Sequence, residues 1–178
     1  MSNVLIVGGG AAGMAAAVFA AEAGCTAELF EQNEKLGKKL FITGKGRCNF
    51  TNACDTEELF RNIVTNPKFL YSAFYGFDSG RAVDFFERLG VKTKVERGGR
   101  AFPYPDHSSD IIRALERRMK ELGVKVHLNT RVRGLWTEED AAAGLVLEDG
   151  SRVRGDSVIV ATGGCSYRST GSTGGGDR

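Results

Sequence analysis

The sequence predicts an α/β fold: a parallel sheet with helices packed on it and a β-meander inserted near its end. Three observations carry this. Val4-Leu5-Ile6-Val7 is a continuous apolar run that stops at glycine, as expected of a strand buried on both faces. An alanine-rich stretch at 11–23 and a second strand-like segment at 26–31 follow, so strand, glycine turn, helix and strand fit into about 30 residues as a βαβ unit. Much later, the apolar run 157–161 meets Thr162-Gly163-Gly164, just after a hairpin signal at Asp149-Gly150.

The elements follow in order. Alanine favours helix, and Gly24 suits the left-handed stop after the helix over 11–23. Residues 32–53 read as irregular, with Gly37, Gly44 and Gly46 among Lys35, Lys38, Lys39, Lys45 and Arg47. A loop of about 20 residues inside a domain is usually functional. Asp55, with Glu58 three residues on, marks an N-cap and capping-box partner for a helix to about residue 65. Helices over 67–75 and 79–89 follow, the second closed by Gly90, with Phe85, Phe86 and Leu89 as core. Residues 92–96 suit a short strand, 97–100 a turn, and Pro103 and Pro105 an extended segment. An amphipathic helix over 109–122 stops at Gly123, and 124–128 alternates as a strand. Segments 145–148 and 151–154 flank Asp149-Gly150 as the arms of a hairpin.

The chain has 178 residues, read as one Rossmann-type domain over 1–178 with a flexible Gly-rich tail at 170–178. It carries 24 basic and 22 acidic residues, a balance that gives no electrostatic case for nucleic acid or an anionic membrane. Arg113, Arg117, Arg118 and Lys120 share one helix and read as its solvated face. Cys25, Cys48, Cys54 and Cys165 form no C-x-x-C, and neither His107 nor His127 neighbours a cysteine, so no metal site is expected. No signal peptide is visible, and the apolar stretch at 11–23 is too short to span a bilayer. A reducing cytoplasm with free thiols is the expected setting. Oligomeric state is not legible.

Gly8, Gly10 and Gly13 fit G-x-G-x-x-G. In a chain with 24 glycines the pattern alone is weak, so context decides. It follows the first strand, opens a helix, and is followed by Glu31 at the end of the second strand, near the spacing of about 20 seen in dinucleotide sites. Gly8 permits the tight turn, Gly10 lets a pyrophosphate approach, and Gly13 lets the helix pack on the strand. Amides at the helix start, those of Ala11 and Ala12 among them, then meet the phosphates. Glu31, with Gln32 beside it, faces the ribose, and its charge repels a 2′-phosphate.

The second glycine cluster favours FAD over NAD. Ala161, Thr162 and Gly163 behind a predicted hairpin resemble the two-motif pattern of the glutathione-reductase-like FAD superfamily. That resemblance implies a three-stranded meander returning to the parallel sheet, and backbone near Val132 touching the adenine.

Three stretches carry a closer resemblance. They are the segment Lys35-Leu36-Gly37-Lys38-Lys39-Leu40-Phe41-Ile42-Thr43-Gly44-Lys45-Gly46-Arg47-Cys48-Asn49-Phe50-Thr51-Asn52; Gly99-Arg100-Ala101-Phe102-Pro103 with Asp106 and Asp110; and the segment from Ala161 to Thr173. Together they resemble the aminoacetone-oxidase-like, or BaiN-type, flavoproteins over essentially the whole chain. The family members run about twice this length and insert a mostly β substrate domain after the T-G-S-T-G segment. The chain is therefore expected to be truncated before that domain. Where the family continues Gly-Asp-Gly-Tyr, this sequence has Gly174-Gly175-Gly176-Asp177.

The flavin would carry the redox step, with the protein supplying orientation and electrostatics. Lys38, Lys39 and Arg47 are candidate cations for the reduced ring. By resemblance Arg47, Cys48, Asn49 and Thr51 lie along the flavin. Cys48 reads as a redox thiol or as a packing residue, and Arg100 as a ligand for an anionic substrate or phosphate or as a surface ion pair. No general acid or base is selected. The expected activity is flavin-mediated electron or hydride transfer to or from a small organic substrate, with NAD(P)H as a candidate donor. The alternatives are an incomplete FAD-binding domain without turnover and a tRNA-modifying flavoprotein.

Overall fold

The computed structural model describes residues 1–104 and 106–170. Pro105 and, from residue 171 on, the Gly-rich tail and the end of the third family-like stretch lie outside the described residues.

In chain order the elements are β1 (Asn3–Val7), α1 (Ala11–Glu22), β2 (Thr26–Phe30), α2 (Lys38–Ile42), β3 (Thr51–Asn52), α3 (Thr56–Arg61), α4 (Tyr71–Gly76), α5 (Ser79–Arg88), β4 (Thr93–Glu96), β5 (Arg100–Pro103), α6 (Ser108–Glu121), β6 (Lys125–His127), β7 (Val132–Glu138), β8 (Ala141–Leu147), β9 (Arg152–Arg154) and β10 (Ser157–Val160). They fall into two compact units.

The first unit comprises Met1–Phe41 and the chain from Leu115 onward. Its sheet runs β10-β1-β2-β6, every pair parallel. The unbroken apolar run in β1 follows from burial on both faces: Leu5 and Ile6 are fully buried. Met14, Ala17 and Val18 of α1 are buried as well. β7-β8-β9 form the antiparallel meander, and Leu145 from it joins Leu5, Val7 and Phe30 in one apolar cluster flanked by Val132, Leu147 and Val153. The α/β architecture with an inserted meander is thus as the sequence predicts.

The second unit spans Ile42–Ala114. Its sheet runs β3-β5-β4, with antiparallel pairing in which Glu96 faces Arg100 across the Gly98-Gly99 turn. Both glycines are left-handed there, at φ 79° and 71°.

Several segments differ from expectation. The stretch 32–53 contains α2 and β3 rather than irregular chain throughout. Between them Gly44, Lys45, Gly46 and Cys48 all have positive φ, 60°, 58°, 86° and 59°. α3 stops at Arg61 rather than near 65, because the Asn62 side chain donates to the Glu58 carbonyl at 2.8 Å and closes the helix. Asp55 does cap α3, accepting from the Glu58 amide at 2.7 Å. The Glu58 carboxylate, however, turns to Arg61 and Asn62, both at 3.1 Å, so the reciprocal half of the capping box is replaced. The helix expected over 67–75 is a 3₁₀ turn, Pro67–Leu70, leading into α4, after Asn66 in a left-handed conformation.

β7 escaped the sequence reading. Its turn to β8 uses Glu139 and Asp140, both left-handed, where Asn-Gly or Asp-Gly would have signalled a hairpin. The signalled turn at Asp149-Gly150 is present, with the Leu147 amide donating to the Ser151 carbonyl at 2.9 Å and Gly150 at φ 86°.

Candidate functional site

In the first unit the chain leaves β1 through Gly8, which has φ +106° and whose amide donates to the Phe30 carbonyl at 2.8 Å. A Cβ at Gly8 would stand 2.4 Å from the Ala161 carbonyl oxygen, and one at Gly13 would stand 1.8 Å from the Gly8 oxygen. No side chain fits at either position. The two glycines therefore let the turn, α1 and the segment after β10 close on one another. The structure brings Gly8, Gly13, Ala161 and Thr162 together in this way, and the Ala161 amide donates to Val7 at 2.8 Å.

Gly10 differs. It is the N-cap of α1, at φ −81° and ψ −172°, a conformation open to any residue. Among the described residues, beyond its own chain neighbours, a Cβ there would meet no atom within 4 Å, so nothing among them occupies the space in front of this backbone. No side chain caps α1, and its first turn, including Ala11 and Ala12, holds no acidic residue. Such a helix start offers amide donors and a positive dipole end to an anion.

Gly9, which the sequence reading passed over, is the link to the acidic residue. Its amide donates to Glu31 Oε2 at 2.6 Å, and a Cβ on it would meet Leu36 at 2.4 Å and Glu31 at 3.0 Å. Glu31 is 8% exposed. Its other oxygen, Oε1, accepts from the Asn33 amide at 2.8 Å and from Asn33 Nδ2 at 2.6 Å. Asn33 was also missed; its only signal was its place two residues after Glu31. Lys38 Nζ reaches Asn33 Oδ1 at 3.2 Å and Glu34 at 3.4 Å, and Lys39 Nζ donates to Ser166 at 3.2 Å. The Lys38 ammonium helps to lower the Glu34 pKa, behind the larger contribution of a backbone hydrogen bond. Gln32 is exposed. The Glu31 carbonyl accepts from the Thr130 amide at 2.9 Å, two residues before β7 begins at Val132. Gly163 is exposed and left-handed at φ 76°.

The second unit holds the remaining candidates. Arg47 Nη2 donates to Glu96 Oε1 at 2.6 Å and Asp106 Oδ1 at 2.7 Å, and its guanidinium lies 4.2 Å above the Phe102 ring. Lys94 Nζ meets Asp106 at 2.6 Å and Glu96 at 3.2 Å. Two cations and two carboxylates thus compensate one another. Arg47 holds the Glu96 carboxyl below the usual range, Lys94 does so for Asp106, and the two cations are pushed up in return.

Cys48 is fully buried, and burial pushes its thiol up to about 11. At neutral pH it is protonated and a poor nucleophile, as suits a packing residue. The Asn49 amide, oriented with its nitrogen toward two carbonyls, donates to Thr51 and Ala101 at 2.8 and 3.1 Å. Thr51 pairs with Ala101 across the sheet. Arg100 is exposed, donates to the Arg97 carbonyl at 3.1 Å and lies 5.7 Å from the Phe102 ring centroid. All four cysteines are free thiols. Among the described residues no cluster of His, Cys, Asp and Glu is arranged to hold a metal, and no helix is long and apolar enough to cross a membrane.

The family described as HI0933-like protein Rossmann domain matches residues 2–178. The chain is 37% identical, over 99% of its length, to the 3-dehydro-bile acid delta(4,6)-reductase of Clostridium scindens. It is 29% identical, over 96% of its length, to the ribosomal RNA dihydrouridine synthase of Escherichia coli K12. It spans 42% of the length of each of these relatives. Among solved structures, 93% of the chain superposes on 46% of the 3-ketosteroid-delta4-(5alpha)-dehydrogenase of Rhodococcus jostii RHA1. That superposition has a TM-score of 0.73 and 19% identity, a likeness of fold. These matches bear out the resemblance read from the three sequence stretches and the Rossmann-type fold.

Proposed function

Because this chain belongs to the HI0933-like Rossmann-domain family, we propose that it forms the nucleotide-holding part of a flavin-dependent oxidoreductase, with FAD as cofactor. One arrangement carries the reading: an uncapped helix start at Gly10, beside a buried carboxylate already tied to the same loop through Gly9. The residues fit the group. Gly10 leaves the backbone open to a pyrophosphate, the amides of Ala11, Ala12 and Gly13 supply donors, and Glu31 supplies an acceptor for a ribose hydroxyl. Gly8, Ala161, Thr162 and Gly163 are read as the wall beside them, and Gln32, Lys38, Lys39 and Val132 as further cofactor contacts.

When bound, the flavin supplies two-electron transfer; the protein orients it and compensates charge. By the family resemblance, Arg47, Cys48, Asn49 and Thr51 are read as lying along the flavin, and Arg100 as a candidate anion ligand. The substrate is read as a small organic molecule, in keeping with the reductase at 37% identity, with NAD(P)H as a candidate electron donor. Four free thiols accord with a cytoplasmic setting.

A second reading, an RNA-modifying flavoprotein, draws on the 29% identity with a ribosomal RNA dihydrouridine synthase. The near-even charge gives it no electrostatic support. Dihydrouridine content of ribosomal RNA in cells with and without the gene separates the two. A third reading is a domain that holds FAD without turnover.

The visible spectrum of the purified chain, with chromatography of any cofactor released on denaturation, tests the proposal. A flavin spectrum and released FAD are expected. A colourless chain that also fails to take up added FAD would overturn the assignment for this chain.

A further inference from the structure

The Glu31 carboxylate is not equally available at its two oxygens. Oε1 receives two donors, the main-chain amide and Nδ2 of Asn33, at 2.8 and 2.6 Å. Oε2 receives one, the Gly9 amide at 2.6 Å. A carboxylate offers about four lone-pair positions in all, two on each oxygen. Among the described residues, Oε1 is therefore saturated and Oε2 has one position left. Lys38 fixes this asymmetry. Its ammonium can only donate, so at 3.2 Å it selects the Asn33 side-chain oxygen and turns Nδ2 toward Glu31. Nδ2 also reaches the Thr170 carbonyl at 3.4 Å, a second acceptor that fixes the same orientation.

We propose that Asn33, oriented by Lys38, is a positioning residue that blocks one oxygen of Glu31. The carboxylate then reads a single hydroxyl of the adenosine ribose rather than gripping both. This rests on the reading of Glu31 as the ribose ligand. Asn33 acts through Glu31 and need not touch the nucleotide. Its side chain is separable from the fold, because main-chain bonds hold the segment. The Glu31 amide donates to His127, and the Thr130 and Asn129 amides donate to Glu31 and Asn33, at 2.9, 2.9 and 3.0 Å.

The test is calorimetric titration of the chain, freed of bound nucleotide, with ADP, 2′-deoxy-ADP and 3′-deoxy-ADP. In the wild type one deoxy compound should bind about ten- to a hundredfold more weakly than ADP, the loss expected for a hydrogen bond to a charged group, and the other within about threefold. In Asn33→Ala, Oε1 keeps the main-chain amide but loses Nδ2, so each oxygen has one position open and the ratio between the two deoxy compounds should collapse to within about threefold. Lys38→Met should move it partway. Asn33→Asp, which puts an acceptor where Nδ2 donated, should bind ADP more weakly than Asn33→Ala. Equal, large losses for both deoxy compounds in the wild type would overturn the single-hydroxyl claim. A ratio retained in an Asn33→Ala variant of unchanged melting behaviour would overturn the positioning role while leaving Glu31 as the ribose ligand. A wild type that binds all three nucleotides equally, or none, would overturn both.

Discussion

Glu31 Oε2 and the Gly9 amide lie 2.6 Å apart, joining the end of the second strand to the turn after the first across 22 residues of sequence. The bond is buried, so it serves the fold as well as any ligand. Glu31→Ala should cost about 1–3 kcal/mol, the price of leaving a buried donor unmet, and weaken flavin binding too. Glu31→Gln retains an acceptor and should recover much of the stability. Urea unfolding of both variants, read with flavin content, checks this.

Gly10→Val should do the reverse. The position is open and its backbone unremarkable, so stability should fall by about 1 kcal/mol or less, the scale of an altered N-cap. Bound flavin should vanish, because the side chain occupies the approach to the helix start. A folded variant that still carries flavin would contradict the site.

Gly13→Ala adds one carbon against the Gly8 carbonyl oxygen. Overpacking of this kind costs about 1–3 kcal/mol. The urea midpoint should fall with or without flavin, in contrast to Gly10→Val.

The four-charge network around Arg47 predicts a pH window. Glu96 and Asp106 have lowered pKa values, so their contribution is complete above the ordinary carboxylate range and is lost as pH falls through the lowered folded values. Arg47 and Lys94 are raised, so theirs is complete below their ordinary values and lost only as pH rises past the raised ones. Melting of the wild type against a Glu96→Gln, Asp106→Asn double variant should differ most across neutral pH and converge in strong acid.

Cys48 should resist alkylation at neutral pH while the exposed Cys165 reacts. Mass spectrometry after timed iodoacetamide treatment distinguishes them. Equal labelling would show that the loop opens readily.

The parallel sheet and glycine turn were legible because burial on both faces leaves unbroken apolar runs, as in Leu5 and Ile6. The relation of Gly8 to Gly13 was legible because close approach admits one residue type. The β7–β8 turn was not, since Glu139 and Asp140 adopt left-handed backbone without glycine to announce it. The roles of Gly9 and Asn33 were hidden for another reason. They depend on which oxygen of Glu31 each faces, a matter of three-dimensional placement. Arg47 was read as a cation for the flavin, yet two of its partners, Glu96 and Asp106, lie 49 and 59 residues away and could not be paired with it from spacing.

The pairing of β1 with β10 has a consequence for how the molecule is made. Val4 lies beside Ser157, and the Ala161 oxygen packs against the Gly8 turn. A ribosome adding about 5–20 residues per second needs roughly 8–30 s to travel from one to the other. Over that interval one edge of β1 lacks its parallel partner, while β2, α1 and, once made, Leu145 of β8 cover the rest of it. The carbonyl that closes against the Gly8 turn is therefore absent until Ala161 has been made, long after the turn itself.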